Sequence, residues 1–84
     1  MTPFWPAGQL IQAAEQSGCP TLFRWNHRDH RVERASAHWR VHTLWWTPSG
    51  VWRDYWQVTT DTGLLCVLYH DLLGDAWYLE RIYE

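Results

Sequence analysis

Histidine spacing is the first place where this chain could do chemistry: His27-x-x-His30 and His38-x-x-x-His42 look like two halves of a four-ligand zinc site. On a strand His38 and His42 share a face, but at ~3.3 Å per residue their Cα atoms lie roughly 13 Å apart. Two imidazoles that far apart cannot meet one zinc at about 2.0–2.1 Å without a bulge. Cys19 and Cys66 contribute no CxxC or CxH spacing. The histidines are expected on the surface of a strand and a turn, with no metal and no cofactor.

Paired acids are the second test. Asp54 and Asp71 each lie beside aromatic residues. Aspartate is depleted in strands, so Asp54 should have a partner such as Arg53, Arg40 or Arg81, and structural pairing outweighs acid–base work. The five glycines are scattered as turn and cap residues, so no phosphate-cradling loop exists. No Ser or Cys has a nucleophile-elbow setting. The chain does not read as an enzyme.

A basic segment is the third. Arg24, Arg28, Arg31, Arg34 and Arg40 are interleaved with Trp25 and Trp39. Arginine beside exposed aromatics suits single-stranded nucleic acid, where bases stack and phosphates pair. It equally suits protein interfaces, whose hot spots favour Trp, Tyr and Arg. A solvated hairpin over core tryptophans is the plain third reading. The adjacent Trp45-Trp46 should point to opposite faces of a strand, leaving one ring outward for contact.

These residues need elements to hold them. Thr2-Pro3-Phe4-Trp5-Pro6 reads as part of an extended arm over residues 1–8. Gln9–Ser17 is rich in helix formers and is followed by Gly18, which predicts a short helix over 9–18. From Pro20 the period is two, giving strands over Thr21–Trp25, His30–His42, Val51–Thr60, Leu64–His70 and Ala76–Tyr83. Ala37, Trp39 and Val41 are expected on the core side, with His38, Arg40 and His42 facing out. Trp39, Tyr55, Leu68 and Trp77 are the expected buried residues. The fold class is mainly β: one domain over residues 1–84, an antiparallel meander of about five strands, curled or closed into a small barrel.

Composition fits a single domain. Eighty-four residues hold one core, and eight Trp, four Tyr and two Phe supply its area, too many to bury entirely. The net charge of −2 argues against nucleic-acid binding by bulk electrostatics, although the positive charge is concentrated before Asp54. Neither a signal peptide nor an apolar run of about 20 residues is present. A cytoplasmic protein with reduced thiols and no membrane association is therefore expected.

One ordered set of residues resembles a known family: Phe23-x-Trp25, Val32, Trp39-Arg40, Trp45-Trp46, Arg53-x-Tyr55, Gly63, Leu68-Tyr69-x-Asp71 and Trp77-Tyr78-Leu79-x-Arg81-x-Tyr83. The pattern is similar to that of small bacterial domains of unknown function, common in high-GC bacteria. They are often encoded beside damage-inducible mutagenesis cassettes containing a Y-family-like polymerase subunit and an error-prone replicative-type polymerase. The likeness spans about Pro20 to Tyr83; Tyr55-Trp56 replaces the usual aromatic pair, and the N-terminal segment departs from the family. The resemblance implies an accessory role in DNA repair or translesion synthesis and supplies no catalytic residues.

The expectation is a non-catalytic adaptor that binds a protein partner through Arg40, Trp45, Trp46, His38 and His42, with a translesion polymerase component as the partner the resemblance implies. The alternative is a single-stranded nucleic-acid binder using Arg24, Arg28, Arg31 and Arg40.

Overall fold

Six antiparallel strands in sequence order close into a barrel in this computed structural model, which describes residues 4–43 and 50–83, the side chains of residues 6 and 7 excepted. They are β1 (Phe4–Gln16), β2 (Cys19–Trp25), β3 (Arg28–Thr43), β4 (Val51–Thr60), β5 (Leu65–Asp71) and β6 (Ala76–Tyr83). Each pairs with the next, and β6 returns to β1. The described residues contain no helix, hence none long and apolar enough to cross a membrane.

The helix expected over 9–18 is instead most of β1, and the arm expected over 1–8 enters the same strand at Phe4. An isolated two-turn helix is marginal in water. As a strand the segment hydrogen-bonds along both edges, to β2 through Gln12–Gln16 and to β6 through Phe4–Ile11. Gly18 does take positive φ, but as the second residue of a tight turn. Ser17 (φ 53°) and Gly18 (φ 85°) join Gln16 to its partner Cys19, the sign pattern of a type I′ hairpin. Asn26 (φ 55°) and His27 (φ 60°) repeat it between β2 and β3. The count of five strands thus becomes six.

Alternation then builds the core. Ile11, Phe23, Val58, Cys66, Leu68, Trp77, Leu79 and Ile82 are buried together inside the barrel. Burying each large apolar side chain stabilises by roughly 1.5–3 kcal/mol. β5 pairs with β4 and β6 along its whole length, and its outward residues Val67 and Tyr69 are also buried, in a second cluster with Tyr55. Both sides of the strand are covered, which accounts for its almost continuous apolar sequence. Tyr55, Leu68 and Trp77 are buried as expected, but Tyr55 belongs to this outer cluster and the other two to the inner core. Trp39 corrects the expectation: it is 40% exposed.

Candidate binding surface

β3 is twice as long as its neighbour β2 can cover. Its ladder to β2 ends at Leu22↔Arg31, whereas its ladder to β4 runs from Val32↔Thr60 to Thr43↔Val51. Among the described residues, the stretch from Val32 to Thr43 pairs with β4 alone, leaving its other edge open. Two bulges, at Glu33 and Ser36, each set two β3 residues against one β4 residue; bulges of this kind bend a strand and increase its twist.

From His38 onward the β3–β4 pairs are symmetric about position 47, so side chains meet directly across the ribbon. On the core-facing side, His38 stacks on Trp56 (centroids 3.8 Å apart, 7° between planes) and His42 on Trp52 (4.8 Å, 15°). Between them Arg40 donates to Asp54 from Nε (2.7 Å) and Nη2 (3.1 Å), with its Cζ 5.9 Å from the Trp52 ring. His38 Nε2 is 3.6 Å from the same carboxylate. Hydrogen bonding from Arg40 holds the Asp54 carboxyl below its ordinary range despite burial, and the same bond raises the guanidinium pKa. The Nε1–H groups of Trp52 and Trp56 are buried and meet no acceptor among the described residues.

The outward side carries an aromatic row over four strands. Trp39 stacks on Tyr55 (5.4 Å, 4°), Tyr55 tilts against Tyr69 (5.1 Å), and Tyr69 stacks on Tyr78 (5.0 Å). The four residues are direct register partners. The Arg53 Cζ lies 4.5 Å from the Tyr69 ring centroid, and its Nη1 donates to the Tyr55 hydroxyl at 3.2 Å. Burial pushes the Tyr69 phenol pKa up.

His38, Arg40 and His42 therefore share one side, but it is the core-facing side of the sheet, continued past the part of the barrel that β2 closes. Alternation groups these residues correctly; the outward direction expected for them belongs to Trp39. Trp45 and Trp46 lie outside the described residues. The indole beside Arg40 is Trp52, which sequence reasoning missed and which the register centred on position 47 pairs with His42. The same symmetry selects Arg40 from the three partners considered for Asp54.

The arginines of the nucleic-acid alternative do not share a face. Arg24 and Arg31 lie on the outer side of the β2–β3 hairpin, where Arg24 meets Asp29 at 3.4 Å. Arg28 pairs across from Trp25 on the core-facing side, and Arg40 sits farther along β3. His30 is buried under Phe23 and Trp25, with Nδ1 2.7 Å from the Thr62 hydroxyl. Among the described residues no group of three or more His, Cys, Asp or Glu could hold a metal ion.

Comparison with known proteins places relatives beside this geometry. A family model described as "Domain of unknown function (DUF6504)" matches residues 7–84. Protein ImuB from two strains of Caulobacter vibrioides, NA1000 / CB15N and ATCC 19089 / CIP 103742 / CB 15, is 42% identical over 52 residues. The match covers 52% of this chain and 11% of each ImuB, so the chain corresponds to a small part of those proteins. No solved structure gives a significant match.

Proposed function

We propose that this chain, which belongs to that family of unknown function, is a non-catalytic accessory module that docks a protein partner in a DNA-damage-related process. The observation that carries the reading is the open edge of β3, flanked by Trp39 on one side and by the Arg40–Asp54 pair on the other. Exposed Trp and preorganised Arg are the residue types that dominate interface energetics, and an open strand edge adds backbone recognition. The similarity to ImuB supports a DNA-damage-related setting, the one that the resemblance to the small bacterial family implied. The single-stranded nucleic-acid reading draws less support, because its four arginines are divided between two sides and one face of each of Trp52 and Trp56 is occupied by histidine.

The test is affinity capture on the immobilised chain from cells that encode it, grown with and without DNA damage, the lysate being treated with nuclease. A nuclease-resistant partner retained at moderate salt, and lost with Trp39→Ser, supports docking. Capture abolished by nuclease, with oligonucleotide binding that falls steeply as salt rises, overturns it in favour of nucleic acid.

A further inference from the structure

An open strand edge presents unpaired N–H and C=O groups, and proteins normally blunt it with proline, lysine, a very short strand, bulges or inward-pointing charge. The β3 edge carries its two bulges before Ala37 and, beyond them, only Arg40 as an inward charge, which Asp54 already pairs. Beyond the Ser36 bulge, Ala37 to Thr43 runs without proline, lysine or any acidic residue, for roughly 23 Å at ~3.3 Å per residue. Its flanks differ in chemistry: Ala37, Trp39 and Val41 on one side, His38, Arg40 and His42 on the other.

We propose that this edge receives one extended segment of a protein partner as an added antiparallel strand, in which carboxylate side chains alternate with apolar ones. The inference rests on the docking role above and states the chemistry of what docks. Successive residues of an added strand fall on alternate sides, so every second one meets the Arg40 row and the others meet Trp39. On the Arg40 side Asp54 holds Nε and Nη2, fixing the guanidinium while Nη1 stays outside the pair. The Nη1 left over on that fixed guanidinium favours a carboxylate, whereas the half-exposed Trp39 ring favours an apolar neighbour. A second copy of this chain fits poorly. The stretch from Ala37 to Thr43 brings no carboxylate to Arg40, and the register centred on position 40 sets Arg40 opposite Arg40, where like charges destabilise.

The probes are three acetylated, amidated octapeptides: (Glu-Val)4, (Lys-Val)4, and (Glu-Val)4 with a central valine replaced by proline. Each is titrated calorimetrically into the full chain at neutral pH, and amide hydrogen exchange is followed. (Glu-Val)4 should bind and slow exchange within Ala37–Val41. The lysine peptide should bind at least tenfold more weakly, the proline peptide should lose that protection, and Arg40→Gln, titrated well below its own lowered melting temperature, should bind (Glu-Val)4 at least tenfold more weakly. Equal binding of the lysine peptide, protection that survives the proline, or no binding of (Glu-Val)4 at millimolar concentration overturns the proposal. If (Glu-Val)4 fails while nuclease-resistant capture persists and still requires Trp39, strand addition is wrong and docking stands. If no nuclease-resistant partner is captured, both are wrong.

Discussion

Arg40 and Asp54 face each other as direct register partners across β3 and β4, joined by two hydrogen bonds of 2.7 and 3.1 Å. Asp54 is buried, and Arg40 lowers its carboxyl pKa from the ordinary 3.8. A carboxyl depressed in the folded state contributes stability above its unfolded pKa, and that contribution fades as pH falls through the folded value. Asp54→Asn should therefore melt below the parent at pH 7, and the two melting temperatures should converge as pH falls through the depressed folded-state value. A difference that persists unchanged into acid would show that the charge is not what Asp54 contributes.

Trp77 fills the inner core beside Leu79 and Ile82 and carries the stacked His70 ring at 4.5 Å. Trp77→Ala should cost about 3–5 kcal/mol, a large part of what a small domain has. Urea titration followed by far-ultraviolet circular dichroism measures it, and a loss under 1 kcal/mol would contradict the packing.

Gly8 holds φ 78°, and a Cβ there would stand 2.5 Å from the Tyr69 hydroxyl and 2.9 Å from the Tyr78 Cβ. Gly63 has a similar φ of 87° but open space around it. Gly8→Ala should destabilise more than Gly63→Ala, because it adds collision to the shared backbone strain. Thermal melts of the two variants check the order.

Cys66 is fully buried, and burial pushes its thiol pKa up to about 12, whereas Cys19 is partly exposed. The thiolate is the reactive form, so iodoacetamide at pH 8 should label Cys19 in the native protein and Cys66 only after denaturation. Mass spectrometry of the labelled peptides gives the result.

What the sequence reveals is uneven, for physical reasons. The β5 run from Leu64 to His70 was legible because a strand covered on both sides needs continuous apolar residues. β1 was not legible, since Gln9–Gln16 has helical composition and becomes a strand only through partners on both edges. Alternation identified His38, Arg40 and His42 as one set; it could not say which side turns to the core, because Trp39 is hydrophobic yet stands outside on Tyr55. Trp52 was hidden for a different reason: its role depends on the hairpin register and leaves no local mark.

The two bulges in β3 bear on how such a chain can change length over generations. Glu33 and Ser36 are each the surplus member of a two-against-one pairing, so deleting either leaves every flanking side chain on its present side. Deleting one residue between Ala37 and Thr43 would instead turn half the strand over, carrying Trp39 or Arg40 to the wrong side. Insertions and deletions among relatives should therefore collect at these two positions, while the spacing from His38 to Trp56 is inherited unchanged.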